Sequence, residues 1–147
     1  MCTIDRLGIG RRIPLLGYLA TPYAAFPGPR SEAFHHAILA AAIFVDYLGP
    51  WIFSPIAHNH LLAMATTSQP DDPHRYWLDA DFPYLVAADC LIVVQLPGWC
   101  QSIGIAEEIR IMTAMNKPIF YWDINDGIPN DIRDFFVSNN DLIGPFV

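Results

Sequence analysis

Residues 90–108 read Cys-Leu-Ile-Val-Val-Gln-Leu-Pro-Gly-Trp-Cys-Gln-Ser-Ile-Gly-Ile-Ala-Glu-Glu. The run Cys90 to Leu96 is apolar but for Gln95, rich in β-branched residues, and bounded by Asp89 and Pro97. It reads as a strand. Its side chains do not alternate between apolar and polar, so both of its faces are covered, as in a parallel sheet. Pro97 to Gln101 form a loop, and a helix follows from about Ser102 to Met115. Lys117-Pro118 ends that helix, and Ile119 to Trp122 form another strand.

Working toward the N-terminus, the same alternation recurs. Leu15 to Ala20 read as a short buried first strand stopped by Thr21-Pro22. Pro22 to Pro29 hold three prolines and a glycine and read as a loop. Ser31 is the expected N-cap of a helix over residues 32–48, with Glu32 in its first turn and Gly49-Pro50 closing it. Trp51-Ile52-Phe53 form a second strand ended by Ser54-Pro55. Residues 56–73 are mixed: His58 to Met64 suit a helical turn and Thr66 to Pro73 an exposed loop. His74 to Ala88 suit a helix interrupted near Pro83, and Ile128 to Val137 a last helix. The pattern predicts an α/β protein: a three-layer α/β/α flavodoxin-like (Rossmann-like) domain with a mainly parallel sheet. One domain over residues 1–147 is expected, with 1–13 as a loosely specified lead-in.

Composition narrows the function. The net charge is −7 and the basic residues are scattered, so no nucleic-acid partner is expected. No apolar run reaches the roughly 18–20 residues of a membrane helix, and no signal peptide is evident, so the expected location is the cytoplasm. Hydrophobic residues make up 53% and charged residues 16%, which points to a homodimer or higher homo-oligomer. Cys2, Cys90 and Cys100 lack paired spacing and are expected as free thiols. His35-His36, His58, His60 and His74 show no ligand spacing, so no metal is expected, and no cofactor is expected either.

In parallel sheets of this kind ligands bind outside the carboxyl ends of the strands. Thr21-Pro22-Tyr23, Ser54 to His58, and residues 97–108 are therefore the segments to inspect. Ser102 and the free N–H groups of the helix it opens form an anion site, and Gly104 permits close approach of a ligand. Glu108 projects from the second turn, and Glu107 points about 100° away from it around the helix. A plainer reading of the same residues makes Ser102 an ordinary N-cap and both glutamates surface charge.

The pattern Ser102-x-Gly104-x-x-x-Glu108 after an apolar strand resembles the active-site motif of the nucleoside 2-deoxyribosyltransferase superfamily. That superfamily includes nucleoside 5′-monophosphate N-glycosidases. The stretch Tyr18-Leu19-Ala20-Thr21-Pro22-Tyr23 is similar to its first-strand motif. Ser54-Pro55 with His58 and His60, and Leu96-Pro97-Gly98-Trp99 with Ser102 to Ile105, look like one branch of small bacterial and phage proteins. The resemblance implies that Glu108 attacks C1′ of the sugar and that Tyr18 holds it in place. It implies an aspartate near the leaving base; Asp81 matches best, and Asp79 stays open. It also implies a small-molecule nucleoside or nucleotide as substrate.

Ser102 favours a 5′-monophosphate, because the transferases of free nucleosides carry an aspartate at the matching position and a carboxylate would repel phosphate. Arg110, Arg30 and Arg75 are the candidate cations. Thr21, Pro22, Tyr23, Ser54, His58 and Trp99 complete the candidate substrate-binding residues, and Trp77, Trp99 and Tyr23 are candidates for stacking on a base or for plain packing. The expected activity is an N-glycosidase or 2-deoxyribosyltransferase; the alternative is a nucleotide-binding module that keeps the pocket without the chemistry.

Overall fold

The computed structural model describes residues 13–67 and 69–140. Residues 1–12 of the expected lead-in, with Cys2, lie outside that range. The elements run β1 (Gly17–Ala20), α1 (Arg30–Leu48), β2 (Ile52–Phe53), α2 (Pro55–Ala65), α3 (Pro73–Ala87), β3 (Cys90–Val94), α4 (Ile103–Ala114), β4 (Ile119–Trp122) and α5 (Asn130–Asn139). Short 3-10 turns follow β3 and β4, at Trp99–Gln101 and Ile124–Asp126.

The four strands are ordered β2-β1-β3-β4, and every pairing is parallel. Leu19, Ile92 and Val94 face Phe44 of α1 and Ile132 and Phe136 of α5. Tyr18, Leu91 and Val93 face Leu85 of α3 and Ile105 and Met112 of α4. Helices thus cover both faces, and β3, fully buried over its five residues, needs the continuous apolar run that its sequence supplies. The α/β class and the three-layer, flavodoxin-like arrangement agree with the sequence reading.

Local differences have physical causes. Ser31 is not the cap of α1: the helix starts at Arg30, and the Pro29 carbonyl accepts the Glu32 and Ala33 N–H groups at 3.0 and 3.2 Å. The helical turn expected within 58–64 is a full helix, α2, that begins at Pro55. Ser54 caps it by accepting from the Ala57 N–H at 3.2 Å, and Pro55 suits the first helical position. Helix α3 runs through Pro83, which lies on the exposed side, where the carbonyl it leaves unpaired can meet water.

The strand order reverses between β1 and β3. The loops leaving these two strands therefore diverge and leave a crevice at their carboxyl ends. Gly98 brings the loops into contact. It adopts φ +90°, and a Cβ there would lie 2.2 Å from the Ala25 carbonyl oxygen, so glycine is required for this approach.

Candidate functional site

Helix α4 carries the central carboxylate. Ser102 caps it by accepting from the Ile105 N–H at 3.2 Å. Ile105, Glu108 and Met112 recur at helical spacing and form its buried side, so Glu108 is turned onto the sheet. There the Tyr18 hydroxyl, from the interior of β1, donates to Glu108 Oε1 at 2.9 Å. Burial pushes the Glu108 carboxyl up to about 8; the Tyr18 hydrogen bond works against that rise, and nearby Asp81 adds to it. Burial likewise drives the Tyr18 phenol far above its ordinary range, with Glu108 and Asp81 adding to the effect, so Tyr18 stays a neutral donor.

Asp81 and Leu85 form the buried side of α3. Asn59 of α2 donates through Nδ2 to Asp81 Oδ1 at 2.7 Å. Burial raises the Asp81 carboxyl to about 6, against the lowering effects of the Asn59 hydrogen bond and of His58. Asp79, left open beside it, is exposed and pairs with Arg75 at 3.0 Å; it lines only the smaller cavity described below.

A cleft of about 670 Å³ opens over this cluster. Thr21, Tyr23, Ser102, Gly104, Asp81 and Glu108 all line it, together with Asn59, His60, Arg30 and Trp77. A Cβ at Gly104 would meet nothing closer than 3.8 Å, so the backbone at the start of α4 is open to a ligand. The Thr21 hydroxyl is buried and has no hydrogen-bond partner. The Tyr23 hydroxyl and His60 Nδ1 lie 2.6 Å apart, and Phe34 stacks on the His60 ring at 4.4 Å. The Arg30 guanidinium lies 5.4 Å from the centre of the Tyr23 ring.

A second cavity of about 400 Å³ meets the same cluster from the α3–α4 side and is lined by Tyr18, Asp81 and Glu108. Arg75 and Arg110 border it, each occupied by its own helical neighbour, Asp79 at 3.0 Å and Glu107 at 2.7 Å. Of the three candidate arginines, Arg30 alone lines the larger cleft.

The remaining candidates lie away from the cleft lining. His58 is exposed on α2, where its ring lies 5.5 Å from Phe53. Ser54 is occupied as the α2 cap. Pro22 is buried behind the loop, and Trp99 packs toward Tyr121 with ring centres 5.9 Å apart.

Asn59 was not marked as a site residue by the sequence, although it lines the cleft. The Ser54 cap was the available signal for Asn59, because it sets the phase of α2 and turns residues 55 and 59 to one side. Among the described residues, no group of three or more His, Cys, Asp or Glu side chains is placed to hold a metal ion.

Residues 16–124 match the family model described as a domain of unknown function, DUF1937. The chain belongs to the DUF1937 family. The DUF1937 match takes in β1 through β4, and with them Tyr18, Asn59, Asp81, Ser102 and Glu108. No curated protein matches the sequence.

Proposed function

We propose that the chain is an N-glycosidase or 2-deoxyribosyltransferase that cleaves the N-glycosidic bond of a nucleoside 5′-monophosphate, with Glu108 as nucleophile. The observation that carries this reading is the buried hydrogen bond from Tyr18 to Oε1 of Glu108, the carboxylate that lines both cavities. It holds the carboxylate by one oxygen and leaves Oε2 for the sugar.

In the proposed reaction Glu108 Oε2 bonds to C1′ as the C1′–N bond breaks. The bonding pair leaves with the base, which takes a proton from Asp81. Water, or a second base in a transferase, then attacks C1′ and gives its proton to Asp81. The C1′–O bond breaks and Glu108 regains its electron pair. The N-terminus of α4, the Ser102 hydroxyl, the unpartnered Thr21 hydroxyl and Arg30 support a phosphate-bearing ligand. The proposal needs no cofactor.

One observation favours the second reading, a binding module without turnover. With Glu108 pushed up to about 8, the ligand-free carboxyl is mostly neutral at pH 7 and a poor nucleophile. The catalytic reading requires that proton to pass from Glu108 to Asp81 on nucleotide binding, which leaves Glu108 ionised and makes Asp81 the acid that protonates the base. Incubation with a panel of ribo- and deoxyribonucleoside 5′-monophosphates separates the two. Free base on chromatography supports catalysis, whereas a nucleotide-dependent rise in Tm without base release supports the binding module.

The proposed setting is the cytoplasm, which suits the free thiols Cys90 and Cys100; no helix among the described residues is long and apolar enough to cross a membrane. We further propose a homodimer or higher homo-oligomer. Helix α2 supports it by exposing Leu61, Leu62 and Met64, the last to 71%. Sedimentation at micromolar concentration gives the expected assembly, and a monomer there removes it.

A further inference from the structure

Helix α2 has an inverted polarity. Its buried residues are Pro55, Asn59 and His60, while Leu61, Leu62 and Met64 are exposed. A buried amide costs free energy unless its donors and acceptor are satisfied. Asn59 meets that requirement in one orientation only. Its Nδ2 lies 2.7 Å from Asp81 Oδ1, and its Oδ1 lies 2.9 Å from His58 Nδ1. An ionised carboxylate only accepts, so the amide nitrogen must face Asp81. The amide oxygen then faces His58, whose Nδ1 must carry hydrogen. A line of donors therefore runs from the exposed His58 through Asn59 to the buried Asp81.

We propose that Asn59 is the positioning residue of Asp81: by donating to Oδ1 it fixes the carboxyl plane and reserves Oδ2 for the proton that passes to the leaving base. This rests on the role given to Asp81 above. A proton on Oδ1 would oppose the Asn59 N–H, so the acid form of Asp81 holds its proton on Oδ2. Tyr18 does the corresponding thing for Glu108 by occupying Oε1. Each carboxyl group of the site thus has one oxygen held by a neutral donor and one left for chemistry. The His58 hydrogen bond polarises the amide and strengthens its donation.

Two measurements test the inference. The first compares Asn59→Ala and Asn59→Ser with wild type on two leaving groups: a purine 5′-nucleotide, whose base needs a proton to leave, and a 4-nitrophenyl glycoside 5′-phosphate, whose leaving group needs none. We expect kcat on the purine nucleotide to fall by roughly 10–100-fold in Asn59→Ala, with partial rescue in Asn59→Ser. First-turnover release of nitrophenolate, read as the burst, stays within about threefold of wild type, because only the later attack by water uses Asp81 on this substrate. Equal losses on both substrates overturn the inference and make Asn59 merely structural.

The second measurement needs no turnover and decides the matter if wild type releases no base, the result that removes the proposed activity itself. The Asp81 carboxyl carbon is titrated by NMR in wild type and Asn59→Ala. Around it stand His58 and His60 on α2, Arg75 and Asp79 on α3, Glu107, Glu108 and Arg110 on α4, and Tyr18 on β1. None of these is altered in the variant. The midpoint should rise by about one unit on loss of the donor. An unmoved midpoint overturns the inference whatever the activity.

Discussion

Tyr18 and Glu108, 90 residues apart in the chain, meet in a buried 2.9 Å hydrogen bond. Strand β1 supplies the donor from a fully buried position, and the sheet-facing side of α4 supplies the acceptor. Tyr18→Phe keeps the ring and removes the donor. The bond favours the charged form of Glu108, so the variant's carboxyl should titrate higher than about 8. We expect kcat for base release to fall by about 10–100-fold, with the acidic limb of the pH profile moved upward. A pH–rate profile on the two proteins checks both.

The raised carboxyls also make a prediction about stability. Glu108 rises from 4.5 to about 8 in the folded chain, and Asp81 from 3.8 to about 6. Between those values the unfolded chain has lost protons that the folded chain retains. Stability is therefore fullest below about pH 4 and declines as pH rises, through about 6 for Asp81 and about 8 for Glu108, by at most about 1.4 kcal/mol per unit per group. Glu108→Gln removes the part of this slope that extends furthest, up to about pH 8. Its Tm should exceed that of wild type at pH 8.5 and match it near pH 4.5. A wild-type Tm that climbs from pH 5 to 8.5 contradicts the burial-driven shifts.

Thr21 separates a ligand contact from a folding contact. Its buried hydroxyl has no partner in the protein, so Thr21→Val should leave Tm unchanged or slightly raised. Nucleotide affinity should fall roughly tenfold if the hydroxyl meets phosphate or sugar oxygen. Calorimetric titration with a 5′-monophosphate reads this directly, and unchanged affinity removes Thr21 from the site.

Two glycines in one loop–helix segment should behave oppositely. At Gly98 an added Cβ would lie 2.2 Å from the Ala25 carbonyl oxygen, on backbone with φ +90°. Gly98→Ala should cost about 2 kcal/mol or more and lower Tm by several degrees. At Gly104 the nearest atoms stand 3.8 Å away, so Gly104→Ala should fold as wild type does and weaken nucleotide binding instead. Thermal melts and binding on the two variants check the contrast.

Much of the fold was legible because the strands are buried on both faces. Cys90 to Val94 could not be continuously apolar in a sheet with a wet face. Helix α2 was legible only as a turn, because its leucines and methionine face outward while Asn59 and His60 face in; a reading that sends apolar residues to the core misplaces it. The same inversion hid Asn59. Asp79 and Asp81 lie two positions apart, so about 200° of helical turn sends one to Arg75 and the other to Asn59, a distinction that needs the phase of α3. The β1 and β3 ends of the site were legible from the strand-loop-helix grammar that places Thr21, Ser102 and Glu108 at carboxyl ends of adjacent parallel strands.

The most direct test of the central claim is base release by Glu108→Gln beside wild type, on the nucleotide that wild type cleaves best. Glutamine preserves size and burial but cannot form the glycosyl ester. The account predicts release by wild type and a loss of at least about 1,000-fold in a variant that still folds and still binds nucleotide. Base release by Glu108→Gln at the wild-type rate, or no release by wild type from any nucleotide with or without an added acceptor base, would contradict it.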